Sequence, residues 1–391
     1  MKTACFYFQV HQPYRMRNYH ILEIGKSHNY FDDVQNTAII KKVAEKCYLP
    51  ANRTIARLVR ETGAHFRVSY SISGVALEQM QKHAPEVIDS FKELADTGGV
   101  EFLAETYFHS LAAIYSEDEF AEQVWRQMET VKKLFGYTST TFRNTELIFS
   151  DHLAYLAEKL GFKGVLTEGT DWLVGDSGAN WMYKAKYTKG LKVLLRNYRL
   201  SDDIAFRFSA HQWSEWPLFA DKWASWVAAT PGPLANIFID YETFGEHHWE
   251  SSGIFEFLKY MPQALFNAHV AVLTPCQVFE QMQPTADIAT NSWISWADVE
   301  RDLSAWLGNE MQRDAMDRLY QLERAVKESR DWSLIEDWRK LSTSDHYYYM
   351  STKFAGDAEV HNYFNPHQGP HYAYITMMRI LNDLEERAHR H

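Results

Sequence analysis

The sequence predicts an α/β protein: a parallel β/α barrel of seven or eight strands followed by a C-terminal helical domain. Three observations support that class. Through the first two-thirds of the chain, short apolar runs alternate with amphipathic stretches, the pattern of a parallel sheet wrapped by helices. Polar side chains gather just past the ends of those runs, at His11 and Gln12, Glu105, Glu146, Glu168 and Asp240. After about Pro284 the strand signal fades and long helical patterns take over.

The strand candidates in order are Ala4–Val10, Phe66–Ile72, Val100–Ala104, Thr141–Thr145, Gly164–Thr167, Val193–Asn197, Ile237–Ile239 and Val270–Leu273. Between them, Ser116-Glu117-Asp118-Glu119 forms a capping box, and Gly136 closes the helix it opens. Ser150 or Asp151 caps a helix running through Leu160 and ended by Gly161. Pro217 opens another, directed toward the turn Thr230-Pro231-Gly232-Pro233. Helical patterns at Val299–Arg330 and Tyr372–Arg387 complete the chain. At 391 residues there is room for one large domain and a smaller one, with the boundaries 1–285 and 286–391. Near that junction lies Trp293-Ile294-Ser295-Trp296-Ala297-Asp298, and farther on Ser344-Asp345-His346-Tyr347-Tyr348-Tyr349-Met350. Both mix aromatic and polar residues, as an interdomain seam or a ligand site does.

Composition narrows the partners. A formal net charge of −11 argues against a phosphate-backbone ligand, so no nucleic acid is expected. Aromatic residues make up 15% of the chain, which fits either a large aromatic core or a minority lining a site, where aromatic faces stack on sugar rings. Cys5, Cys47 and Cys276 are scattered without a CxxC spacing, which suits reduced thiols in a cytoplasm. The apolar N-terminal run is too short for a signal peptide, and no run reaches membrane-spanning length. A cytoplasmic protein with no membrane partner is expected, and a homo-oligomer is compatible with the sequence.

The chemistry concentrates where apolar runs end in carboxylates. Ile237-Phe238-Ile239 stops at Asp240, with Glu242, His247 and His248 close behind, and Thr141-Phe142-Arg143-Asn144-Thr145 leads into Glu146. Ionised carboxylates at such positions are paired, hydrated or used. Two of them at strand ends suit acid/base work on a glycoside, where one carboxyl attacks or activates water and the other protonates the leaving oxygen. If extended structure continues past Asp240, then Glu242 shares its face and repulsion raises one of the two pKa values. Arg143 is placed to set the charge state of Glu146 or to pair structurally. His247 and His248 beside Asp240 raise a metal site, but no HxH or HExxH spacing supports it, so no metal or other cofactor is expected.

Five segments together resemble glycoside hydrolase family 57. They are His11-Gln12-Pro13; Gly99-Val100-Glu101-Phe102-Leu103-Ala104-Glu105-Thr106-Tyr107-Phe108-His109; Phe142-Arg143-Asn144-Thr145-Glu146-Leu147-Ile148-Phe149; Asp240-Tyr241-Glu242-Thr243-Phe244-Gly245-Glu246-His247; and Leu273-Thr274-Pro275-Cys276-Gln277-Val278-Phe279-Glu280. The resemblance continues through Ser295–Asp298 and Ser344–Met350 and is greatest to the α-amylase-type members. It implies an incomplete (β/α)7 barrel followed by a helical bundle that contributes to the substrate cleft. The implied activity is retaining hydrolysis of α-1,4-glucans or maltooligosaccharides, with Glu146 as nucleophile and Asp240 as acid/base. His11, His109, Arg143, Trp213, Trp296 and Asp345 are the expected substrate-binding residues, with Trp216 and Tyr348 as further stacking candidates. One departure is Gln9, where many members carry a histidine. The alternatives are a 4-α-glucanotransferase using the same pair, a metal-dependent carbohydrate hydrolase, and a non-catalytic glycan-binding protein.

Overall fold

The computed structural model describes residues 2–175, 178–353 and 365–390. Among the described residues there are ten strands: β1 (Lys2–Val10), β2 (Val68–Ile72), β3 (Val100–Leu103), β4 (Thr141–Arg143), β5 (Gly164–Glu168), β6 (Met182–Ala185), β7 (Lys192–Arg196), β8 (Leu234–Asp240), β9 (Val270–Val272) and β10 (Ala286–Ile288). Parallel pairing runs β3-β2-β1-β8 in one sheet and β4-β5-β7 in the other. A parallel bridge between Ala104 and Phe142 joins β3 to β4. At the other seam the Asn197 amide donates to the Asn236 carbonyl at 2.8 Å, and the Asn236 side chain donates to the Leu195 carbonyl at 2.9 Å. Seven parallel strands thus surround one interior, an incomplete barrel of the expected class.

The remaining strands sit outside that ring. β9 pairs with β1 only at Lys2–Ala4, below the stretch where β2 takes over the same edge. It is therefore the eighth candidate of the sequence but not an eighth stave. β6 runs antiparallel along the start of β7, and β10 adds to β6. Neither was expected, because each is only three or four residues long and has little apolar periodicity.

Alternation along β1 divides the core. Cys5 and Tyr7 point into the barrel with Leu103, Leu166, Leu194 and Phe238. Ala4, Phe6, Phe8 and Val10 face outward, under the helices that cover the sheet. The helix predicted from the capping box spans Glu117–Phe135, capped by Ser116 and ended by Gly136 in the left-handed conformation. The helix expected from Pro217 begins later, at Ala220. The long pattern expected over Val299–Arg330 is broken into helices Ser304–Leu307, Glu310–Gln321 and Glu323–Glu328. These pack with Trp332–Leu341 and Pro370–Ala388 around Trp306, Met316, Trp338 and Leu381, a second core that also takes in Tyr19, Tyr30 and Phe108. No described helix is long and apolar enough to cross a membrane.

Two fastenings bring the C-terminal segments onto the barrel mouth. Phe149 and Ile294 exchange backbone hydrogen bonds of 2.9 Å in each direction, and the Trp296 amide donates to the Glu146 carbonyl at 3.1 Å. Farther on, the Ser344 amide donates to the His109 carbonyl at 2.9 Å, and the Thr343 hydroxyl donates to the Phe108 carbonyl at 2.9 Å.

Candidate active site

The C-terminal ends of the barrel strands open into a cleft of about 520 Å³. Glu146 and Asp240 both line it, as do His11, His109, Trp296 and Asp345. Glu146 lies just past β4 and Asp240 is the last residue of β8, so short apolar strands fix the backbone that carries each carboxylate.

Glu146 is held from two sides. The His109 Nε2 is 2.9 Å from one carboxylate oxygen, and the Trp296 Nε1–H donates to the other at 2.5 Å. The Trp296 ring is itself flanked by two guanidinium groups, Arg143 at 5.0 Å and Arg196 at 5.6 Å from its centre. Behind His109 stands Glu105, wholly buried, with Oε2 at 3.0 Å from His109 Nδ1. Burial opposes a charge on His109, but the hydrogen bonds and charges of Glu105 and Glu146 outweigh it and raise its pKa to about 9. Near neutral pH an imidazolium therefore lies between two carboxylates. Burial likewise pushes Glu105 up, but bonding to His109 and the nearby charges of His109, Arg143 and His11 leave it below the usual carboxylate range.

His11 stacks on His109, with ring centres 4.0 Å apart and planes at 19°. Its Nδ1 meets the Ser73 hydroxyl at 2.7 Å and its Nε2 meets Asp345 at 3.0 Å. Burial and then the charge on His109 lower the His11 pKa. Gln9 occupies the position of the motif histidine. Its Nε2 donates to Glu105 at 3.2 Å, and its Oε1 accepts from Tyr7 at 2.6 Å and Ser71 at 2.9 Å. A neutral amide thus satisfies donors and acceptor without adding another titratable group beside His11 and His109.

After Asp240 the chain does not stay extended: residues Tyr241–Thr243 form a 3-10 turn. Glu242, nearly buried yet part of the cleft lining, is bonded to the Tyr48 hydroxyl and 3.5 Å from the Gln12 amide nitrogen. Burial and then the charge of Asp240 raise its pKa to about 8. The charge of Asp240, anticipated from the spacing, adds to burial in raising Glu242. The non-glycine residues His109, Glu146 and Leu147 take the left-handed conformation at φ +51°, +56° and +52°, and Asp298 and Arg301 on the rim do so at +55° and +52°. Each costs about 1 kcal/mol or more, and such strain collects where side chains must be aimed.

Some expected residues lie elsewhere. Arg143 is wholly buried and does not line the cleft, its guanidinium lying near the rings of Tyr7 and Trp296. Trp213 is not brought into the cleft either: it packs against Trp226 and under Arg207 on the outer layer. Trp216 stacks on His211, and Tyr348 is buried with its hydroxyl 3.3 Å from Asp298. His248 has both ring nitrogens engaged, with Ser209 at 2.8 Å and the Ala205 carbonyl at 3.0 Å, so it cannot join Asp240 in a ligand set. In their place the cleft gains Trp172, exposed past β5, and Tyr198 past β7, whose ring lies 3.8 Å under the Arg301 guanidinium. Both follow strand ends, the signal that marked the carboxylates and would have marked them.

The sequence profile of glycosyl hydrolase family 57 matches residues 5–291. A Methanocaldococcus jannaschii protein bearing the name "Putative alpha-amylase" is 44% identical over 97% of this chain and 83% of its own length. Among solved structures, the branching enzyme of Pyrococcus horikoshii superposes with a TM-score of 0.70 at 13% identity, covering 99% of this chain and 95% of that one. The 4-alpha-glucanotransferase of Thermococcus litoralis superposes at 0.68 with 15% identity, over 97% of this chain but only 59% of the longer enzyme. At such identities the superpositions speak for the fold.

Proposed function

The chain belongs to glycosyl hydrolase family 57, and from that premise we propose that it is a retaining glycosidase of α-1,4-glucans. The observation that carries this reading is the clamp on Glu146: one oxygen at an imidazolium, the other at an indole N–H, in the cleft where Asp240 ends β8. A carboxylate held in one rotamer by two donors is pre-organised to attack a carbon placed before it.

In the first step a Glu146 oxygen bonds to the anomeric carbon as the glycosidic C–O bond breaks, and Asp240 gives its proton to the departing oxygen. The product is a glycosyl ester on Glu146. In the second step Asp240 takes a proton from water, whose oxygen bonds to the same carbon and releases Glu146. Glu242, protonated below about pH 8, adds no second negative charge beside Asp240 in that range. The exposed rim aromatic Trp172 offers a face for a further sugar ring.

The test is the product profile on maltoheptaose for wild type, Glu146→Gln and Asp240→Asn. Shorter oligosaccharides with new reducing ends, absent from both variants, are expected. Longer products without a net gain in reducing ends would make the protein a glucanotransferase using the same pair. Unchanged turnover in Glu146→Gln would rule out the assignment.

A further inference from the structure

A second groove, of about 610 Å³, lies between the helix Glu117–Phe135 and the C-terminal helix Trp332–Leu341. It contains none of the residues that line the catalytic cleft. Trp125 and Trp332 line it and are 52% and 63% exposed, although indoles are on average highly buried. We propose that this groove is a secondary binding site for a segment of neutral α-glucan, separate from the cleft in which the chain is cut. The proposal rests on the α-glucan reading for the identity of its ligand.

The charged residues between the two indoles decide the ligand class. Arg126 holds Glu336 through two nitrogens at 2.5 and 2.9 Å and Glu78 at 3.1 Å. Arg339 meets both oxygens of Glu119 at 2.8 and 3.0 Å and also pairs with Glu122. Lys327 lies 2.8 Å from Glu119 and 2.9 Å from Glu323. Each cation is committed to carboxylates of the same protein, and those carboxylates outnumber the cations. An anionic ligand would have to break these pairs and meet the excess of carboxylates, whereas a polyol can hydrogen-bond to the paired groups where they stand.

The apolar surface is equally selective. It consists of the two indoles with Ala121 and Ile335, bordered by the ion pairs of Glu122, Arg126, Lys327 and Arg339, a small patch compared with the broad apolar face of a protein interface. Isolated flat rings flanked by hydrogen-bonding groups match the alternating faces and rims of a pyranose chain. The Arg126 guanidinium lies 6.0 Å from the Trp332 ring centre and, on its inner side, 4.0 Å from Tyr107 and 5.0 Å from Phe108. Those two residues immediately precede His109. The groove is thus built on the back of the loop that carries the catalytic imidazolium, and a glucan held there stays tethered close to the cleft.

The experiment compares wild type, Trp125→Ala, Trp332→Ala, the double variant and Trp332→Phe. Each is run in native gels with and without embedded glycogen and assayed for maltoheptaose turnover. Tethering acts on the polymer alone, so the double variant is expected to lose about tenfold or more of its retardation by glycogen. Its turnover of the heptasaccharide should stay within about twofold of wild type, and Trp332→Phe, which keeps an aromatic face, should retain most of the retardation. A double variant retarded as strongly as wild type overturns the proposal, as does a wild type that cleaves maltoheptaose but is not retarded at all. A wild type that glycogen retards through these tryptophans but that converts no α-glucan would sink the catalytic reading and leave the groove standing.

Discussion

Replacing Glu105 with glutamine isolates the charge that keeps His109 protonated. The amide has nearly the same size, keeps an oxygen to accept from His109 Nδ1, and carries no charge. In wild type that oxygen is 3.0 Å away, both residues are buried, and the His109 pKa stands at about 9. Removing an opposite charge at this range lowers a pKa by about 1–3 units. The imidazolium then becomes less favourable by about 1.4–4 kcal/mol. Because the folded-state pKa lies above the ordinary histidine value of 6.5, the stability His109 contributes is complete below pH 6.5 and is lost as pH rises through about 9. In Glu105→Gln that loss moves to lower pH, and with it the point at which Glu146 ceases to face a cation. The assay is kcat/KM on maltoheptaose from about pH 5 to about pH 10, with Tm measured at each pH. The alkaline limb should move down by about 1–3 units while the acid limb stays in place. Running both proteins in a Glu242→Gln background removes one neighbouring group that titrates, and Asp240, the proposed acid, is common to both. An alkaline limb and Tm profile that coincide with wild type would refute the reasoning.

Trp296→Phe deletes the donor to Glu146 while keeping a ring between Arg143 and Arg196. A hydrogen bond to a charged group is worth about 1.5–3 kcal/mol, so kcat should fall about 10- to 150-fold with Tm little changed, as steady-state kinetics and a thermal melt will show. Glu242→Gln should flatten the dependence of Tm on pH. The wild-type Glu242 pKa is raised from 4.5 to about 8, so the unfolded chain releases this proton first and stability falls as pH climbs through that window. With glutamine that slope disappears.

The barrel was legible because each stave joins a continuous apolar run to a turn or cap, as in Ile237-Phe238-Ile239 before Asp240. The two catalytic candidates were legible for the same reason, since an ionised group at the end of a buried strand requires a use. What failed was position beyond the strand. Trp213 follows no stave and is drawn onto the outer layer by Trp226, although its composition matches that of Trp296. Trp296 reaches Glu146 because an antiparallel bridge between Phe149 and Ile294 lays the junction along the loop after β4, a pairing no local pattern encodes. The sequence places Arg143 near Glu146 and suggests that it binds substrate and either sets the charge of Glu146 or pairs structurally, but strand alternation turns it into the interior, away from the cleft lining. The turn at Tyr241–Thr243 takes Glu242 off the extended line of β8, to a buried position where burial and then the charge of Asp240 raise its pKa.

The central claim is that Glu146 forms a covalent bond to the sugar, and trapping that intermediate tests it most directly. A fluorinated α-maltosyl fluoride slows the second step more than the first, and peptide mass spectrometry of the treated protein locates the label. The account predicts one added glycosyl unit on the peptide containing Glu146, and none in Glu146→Gln. A label on Asp240 or Glu242, or turnover of maltoheptaose with no labelled carboxylate, would contradict it.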